Sequence, residues 1–486
     1  MTKFASFPAV EIPFDKDGNI AALGPIPAGN AKADLLAMVA GLDDLIVISH
    51  GWNNDPGDAK SLYGDLLNNV DLQWTKNAQL DAAAKTRTGV LAVYWPSKKF
   101  DQGDIVAPSG GAQGGALASI DDEPAANEVD YAAKLAAQIG NLCDEFGQLT
   151  AEQRTALAAA SADIAKLETD SDAQKRFVKA VASLVPENPE EHDPALDEGP
   201  GNIGHPKVDG AALLQNLDTQ VTAAAGAPVE MGAGGLSNIG SDDSAGDATT
   251  APTGMTLGFD PIGGIKRAAL LLLNCTTYYT MKERAGTIGR VGVMPLVAAA
   301  VAAKPGLRVH LVGHSFGGRL VTSLANAMPA GTSAATMTLL QAAYSHYGLA
   351  PAPTAGQQAR PVGAFRSVVT DGKVRGGIQI THSNHDWAVG IAYPVASFIK
   401  RQVAASIDVP STANSLWGGM GANGAQQTLE AFNDTMLDEG KPYPALPNGT
   451  SIRNITGNAF IDDHSSVRGP QCAWALLQLM KKSRSG

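Results

Sequence analysis

Short apolar runs and helical stretches alternate along most of this chain. Leu45-Ile46-Val47-Ile48 meets no polar residue before Ser49, the pattern of a central parallel strand covered on both faces. Strands are also predicted at Val90–Trp95 (closed by Pro96), Leu307–Val312, Ala334–Leu340, Ile378–Ser383 and Ser451–Ile455. Helical character separates them at Ala31–Ala40, at Ala59–Asn69, and in a long stretch from Ile262 that carries Leu270–Leu273 and Tyr278-Tyr279. Further helices are predicted over Val291–Ala303, in the stretch that ends at Pro329, and at the end through Trp474 and Leu479. Phe7–Pro13, the turn at Asp15-Lys16-Asp17-Gly18 and the segment after it predict an opening hairpin. Val368–Val374 reads as a β-turn excursion around Asp371-Gly372, and Pro410–Pro447 as Gly-, Asn- and Pro-rich chain around one helix at Ala425–Leu437. Strands alternating with helices are what a mostly parallel α/β sheet requires.

Residues 98–258 break that rhythm. They contain Gly/Ala/Ser loops (Ser109–Ala118), acidic stretches and helices, and no convincing buried strand. Leu135, Ile139, Leu142 and Phe146 fall on one helical face. Thr150 with Gln153, and Ser171 with Gln174, spell capping boxes for two more helices. Pro186–Gly204 and Ala223–Pro252 are loop-like in composition. An insertion between two core strands must return close to where it left. It is therefore expected as a cap over the carboxyl ends of the strands, where α/β sheets bind ligands. The expected organisation is a core at 1–97, a cap at 98–258, and the rest of the core at 259–486, with a second lid piece at 410–447.

The chemistry concentrates in Leu307–Met328, LRVHLVGHSFGGRLVTSLANAM. A strand, a serine bracketed by Gly313 and Gly317, and a helix in immediate succession spell the nucleophile elbow G-x-S-x-G, with His314 and Phe316 at its variable positions. Side chains two residues before and after so tight a turn would strike the adjoining strand and helix, and glycine removes the collision. Ser315 then stands at a helix N-terminus, where the helix dipole favours developing negative charge.

On these residues the chain resembles the α/β-hydrolase superfamily, and within it the lipase/esterase-like serine hydrolases. The resemblance spans the first hundred residues or so and everything after Phe259. It implies an α/β-hydrolase fold: a mostly parallel central sheet flanked by helices, with a mainly helical and loop cap. It implies a Ser-His-Asp triad in the chain order Ser, acid, His. His464 is the one histidine of nine that lies beyond a plausible acid, follows the last strand and precedes a C-terminal helix, so it is the expected base. Asp386, in the loop after the second strand beyond the nucleophile strand, is the expected acid; Asp371 is the rival but sits in a turn-like Thr-Asp-Gly-Lys. The His50-Gly51-Trp52 element after the Leu45–Ser49 strand implies that Trp52 N–H and Phe316 N–H form the oxyanion hole. His50 itself reads as structural.

Composition narrows the setting. In 486 residues, 48 acidic against 36 basic side chains give a net charge of −12, which disfavours nucleic acid and anionic membranes as partners. Three scattered cysteines, Cys143, Cys275 and Cys472, imply no disulfide framework. The N-terminus lacks a signal-peptide pattern, and the apolar runs Ala268–Leu273 and Val291–Ala303, the latter interrupted by Pro295, look too short to span a bilayer. A soluble, cytoplasmic protein is the expectation. The acidic clusters Glu190–Asp193 and Ser241–Ser244 have no ligand spacing, so neither a metal nor another cofactor is expected. The expected partner is a small-molecule ester or acyl compound. Amide, thioester and acyl-transfer chemistry on the same triad, and a non-catalytic binding module, remain open at this level.

Overall fold

The computed structural model describes residues 2–52, 54–77, 80–97, 149–184, 209–226, 264–357, 360, 362–386, 389 and 418–484, with isolated helical residues between 132 and 140. The loops at 109–118 and 186–204, the acidic clusters at 190–193 and 241–244, residues 142, 143 and 146, and 227–252 lie outside them.

Nine strands form one sheet in the order β1-β2-β4-β3-β5-β6-β7-β9-β8. They are β1 Thr2–Phe4, β2 Phe7–Pro13, β3 Asp44–Ser49, β4 Thr88–Tyr94, β5 Arg308–His314, β6 Thr336–Leu340, β7 Ile378–His382, β8 Ala431–Thr435 and β9 Ile452–Thr456. The pairing β1–β2 is antiparallel and every other is parallel. The central strands carry apolar residues toward both faces because both are covered, with buried polar residues such as Asp44, His310 and Thr336 set among them. On one face Leu45, Val47, Leu91, Val93, Val309 and Leu311 pack with the helices Ala31–Val39, Gly264–Thr287 and Phe316–Ala327. On the other, Ile46, Ile48, Val90, Ala92 and Val312 pack with Pro56–Lys76 and Pro470–Arg484. Successive strand residues point to opposite faces, so one strand feeds both cores.

The Pro56–Lys76 helix runs past the predicted Ala59–Asn69 at both ends, and its earlier start is set by Asp55 and Asp58, which form a reciprocal capping box with Pro56 between them. The predicted box at Thr150 and Gln153 is present. The one predicted at Ser171 is not: Asp170 caps that helix, and Gln174 instead donates to Leu167 C=O at 2.7 Å. Asp170, one residue earlier, already accepts from Asp172 and Ala173 N–H, which leaves no role for the serine. Within 98–258 the described residues form helices, chiefly Ala151–Ala162, Ser171–Ala182 and Gly210–Gly226.

Four other expectations are corrected. The opening hairpin lies earlier: β1 and β2 turn at Ala5-Ser6, with Ala5 at φ 51°, and the Asp15–Asn19 turn yields only an isolated bridge, Phe14–Ile20. Val368–Val374 opens inside a short helix, Arg366–Thr370, and only its second half is the expected turn, at Asp371-Gly372. The helix predicted at Ala425–Leu437 is instead the edge strand β8, paired in register with β9 from Ala431–Ile452 to Thr435–Thr456, so tertiary pairing overrides local preference. Finally, Val291–Ala303 is no separate helix. Gly264–Thr287 continues through a π turn, Ile288–Val293, into Met294–Ala303, with Pro295 in the first turn of the resumed helix. The Thr280–Ala303 part is thereby long and apolar enough to cross a membrane by length and composition alone, and half of its apolar window is buried inside the protein.

Candidate active site

Strand β5 ends at His314, and the chain reverses at Ser315 with φ 55° and ψ −123° before the Phe316–Ala327 helix. Positive φ at a non-glycine residue costs about 1–3 kcal/mol and persists only where neighbours enforce it. Here Ser315 N–H donates to Leu340 C=O at 3.0 Å, while Ser315 C=O accepts from Gly318 and Ala343 N–H at 3.0 and 3.1 Å. A Cβ on Gly313 would collide with Gly317 C=O, and one on Gly317 with Ser49 C=O. Both bracketing glycines are therefore demanded by close approach of β3 and the helix.

The His50-Gly51-Trp52 loop leaves β3 beside this elbow. A Cβ on Gly51 would stand 2.5 Å from Ser315 Cβ, so this glycine clears the space the serine occupies. His50 is a locked strut: its N–H donates to Tyr63 Oη at 2.8 Å, its Nδ1–H to Gly51 C=O at 2.9 Å, and its Nε2 accepts from Trp95 N–H at 3.2 Å. Burial pushes the imidazole down to about 4, so it stays neutral at physiological pH. Trp52 is buried with its ring 6.2 Å from that of Phe316, and its C=O accepts from Asn54 Nδ2 at 2.8 Å. The two residues expected to supply oxyanion N–H groups thus flank Ser315 from the β3 loop and the helix start.

Asp386 and His464 come from loops after β7 and β9 and meet. His464 Nδ1 lies 3.0 Å from Asp386 Oδ1 and 2.9 Å from Oδ2. Asp386 is 1% exposed; its Oδ1 also accepts from Val389 N–H at 2.9 Å and its Oδ2 from Gln341 Nε2 at 3.0 Å. Burial opposes charge on His464. The Asp386 carboxylate, through its charge and the hydrogen bond, and more weakly Asp463, outweigh it, and the imidazole titrates above its ordinary value. Ser383 ties the two loops together, donating from Oγ to Ile461 C=O at 2.8 Å. Asp371, the rival acid, ends the Arg366–Thr370 helix as an exposed cap residue and takes no part.

His314 joins His464 to the elbow. Its Nε2–H donates to His464 C=O at 2.8 Å and the two rings lie 4.8 Å apart. Burial, reinforced by the neighbouring His464, holds His314 far below its usual titration range. Among the described residues the Ser315 hydroxyl makes no hydrogen bond, and contacts of this kind often tighten only when substrate binds. Gly51, Gln341 and Ser383 escaped the sequence reading. Gly51 carried a signal, since it stands in the quoted H-G-W element; the other two carried none.

A cavity of about 880 Å³ lies elsewhere, among Val297, Arg308, Ala334, Gly376 and Ser451, at the amino ends of the strands and so at the opposite end of the strands from Ser315. Among the described residues no cluster of His, Cys, Asp and Glu is arranged to hold a metal ion. No protein family, curated protein or solved structure matches this chain.

Proposed function

We propose that this chain is a serine hydrolase that cleaves carboxylic esters, built on an α/β-hydrolase fold of the lipase/esterase kind with a cap inserted at 98–258. The observation that carries this reading is the buried Asp386–His464 pair, at 2.9 and 3.0 Å, fastened through His314 to a serine in a strained elbow. Ser315 Oγ attacks the ester carbonyl while His464 Nε2 takes its proton, and Asp386 stabilises the imidazolium and fixes the tautomer that leaves Nε2 free to accept. Trp52 and Phe316 N–H groups hold the oxyanion. The C–O bond to the alcohol then breaks, the alcohol leaves with the proton from His464, and an acyl group remains on Ser315. Water activated by the same imidazole releases the acid and restores the enzyme. The raised titration of His464 and the neutrality of His314 support a single proton acceptor at the elbow.

The test is a fluorophosphonate probe together with a panel of p-nitrophenyl esters and matched amides and thioesters. The wild type is expected to take up one probe at Ser315 and to hydrolyse esters fastest. Ser315→Ala is expected to lose labelling and several orders of magnitude in turnover. Undiminished ester hydrolysis by Ser315→Ala overturns the reading.

A further inference from the structure

We infer that Gln341 is a positioning residue that locks the acid of the triad and couples it to the nucleophile, an inference resting on the hydrolase reading above. Gln341 is the first residue after β6, fully buried, with φ 47°, in a conformation glycine usually takes. That backbone turn aims its amide at Asp386. Nε2 donates to Asp386 Oδ2 and to Gly421 C=O, both at 3.0 Å, and Oε1 accepts from Thr381 Oγ1 at 3.1 Å. A carboxylate and a carbonyl only accept, so the group facing them must be the NH2; its orientation follows from its neighbours. Gly421 has to be glycine for this approach, since a Cβ there would stand 2.6 Å from Gln341 C.

The same short segment holds Ser315. Leu340 C=O accepts from Ser315 N–H and Ala343 N–H donates to Ser315 C=O, so Gln341 sits between the two residues that pin the nucleophile's backbone. With Gln341 on Oδ2 and Val389 N–H on Oδ1, each carboxylate oxygen of Asp386 has its own donor. The carboxylate plane can no longer swing away from His464 Nδ1. The strain at Gln341 is tolerated because it places one amide where it serves three elements. Asp386 is the ionisable group bonded to Gln341. Behind it stands His464, flanked by His314 and Asp463, and His382 ends β7 on the neighbouring strand; His314 and His382 are kept neutral by burial.

The experiment compares wild type, Gln341→Met and Gln341→Glu, each normalised to active sites by fluorophosphonate titration, with ester kcat/KM followed across pH 5–9. Gln341→Met keeps the length and removes the donor; its kcat is expected to fall about 10–100-fold with KM little changed. Gln341→Glu keeps the shape. As the protonated acid it still donates to Asp386, so at the acid end of the profile, where protonated His464 already limits the wild type, it is expected to match the wild type. As it ionises beside Asp386 it is expected to lose activity, which adds a falling alkaline limb that wild type lacks. A purely structural glutamine would lower thermal stability and leave the pH profile per active site unchanged. Should Gln341→Met not fold, Thr381→Val, which removes the hydroxyl that orients the amide, takes its place with a smaller drop in kcat expected. Wild-type kcat and pH profile in these variants, with wild type labelled normally at Ser315, overturn the role of Gln341 alone; a wild type that is never labelled overturns the hydrolase reading and this inference with it.

Discussion

Replacing Asp386 by Asn is the sharpest perturbation of the candidate site, because it changes one oxygen to NH2 and leaves the shape. Both oxygens face His464 Nδ1 at 2.9–3.0 Å, and each also accepts from a second donor, Val389 N–H on Oδ1 and Gln341 Nε2 on Oδ2. Whichever oxygen becomes NH2 then confronts a buried donor with another donor, and one hydrogen bond is lost at a cost of about 1–3 kcal/mol. If the amide keeps its oxygen on Nδ1, the imidazolium still loses the charge that stabilises it. If it turns its NH2 there, the ring must adopt the tautomer with Nε2–H facing Ser315, which cannot accept the serine proton. Either way kcat/KM is expected to fall about 10³–10⁴-fold, equivalent to about 4–5.5 kcal/mol of transition-state stabilisation. The pH profile carries the second signature. In the wild type the pull of Asp386 exceeds the opposing effect of burial and His464 titrates above 6.5; without that pull, burial acts against Asp463 alone, and the acid limb is expected to move to lower pH. The sign for stability agrees: a raised imidazole pKa contributes stability below 6.5 that is lost as pH rises through the folded value, so Asp386→Asn is expected to be destabilised most in acid. The assay is the second-order rate of fluorophosphonate labelling and of p-nitrophenyl acetate hydrolysis between pH 4.5 and 9. An Asp386→Asn variant within about tenfold of wild type, with the acid limb unmoved, would refute the argument.

Two further outcomes are expected. Gly51→Ala would place a methyl group 2.5 Å from Ser315 Cβ and 3.0 Å from Oγ; labelling at Ser315 is expected to slow about 10²-fold, and stability to drop by about 1–3 kcal/mol in urea unfolding. Wild-type labelling in that variant would show that the elbow has room the geometry denies it. His382, pushed down by burial from 6.5 to about 4, favours the fold only while neutral, so its contribution is present above pH 6.5 and lost as pH falls towards 4. At pH 5 that loss amounts to about 2 kcal/mol, and His382→Asn is expected to flatten the difference in unfolding free energy between pH 7.5 and pH 5 by that amount. An unchanged difference would mean that His382 does not titrate with folding.

The elbow was legible because its requirements are local. A strand, a serine and a helix with no room for side chains on either flank leave their spelling in a dozen consecutive residues, and Gly313 and Gly317 stand against backbone as that spelling implies. The runs Leu45–Ile48 and Val90–Tyr94 were legible for a similar reason, since burial on both faces favours apolar residues there, while β6, β7 and β9 were legible from short runs rich in branched and apolar residues with polar ones interspersed. Asp386 and His464 were singled out by their place in the chain order of strands, and the fold brings their side chains to 2.9–3.0 Å of each other. Strand β8 was misread because an edge strand half open to solvent carries little apolar signal, and only its pairing with β9 makes it a strand.

What the chain does not spell out is the set of contacts that support the Asp386–His464 pair, made by other segments remote in sequence. Gln341 reaches Asp386 across 45 residues, Ser383 reaches Ile461 across 78, and His314 holds His464 across 150. Those partners are chosen by which strands lie side by side in the sheet. A glutamine at the end of a strand looks like any other until the fold puts a buried carboxylate 3.0 Å from its amide. Residue types and local spacing specify which groups can do chemistry, and only the packed sheet decides which of them face one another, since hydrogen bonds act over about 3 Å and sequence distance says nothing about that.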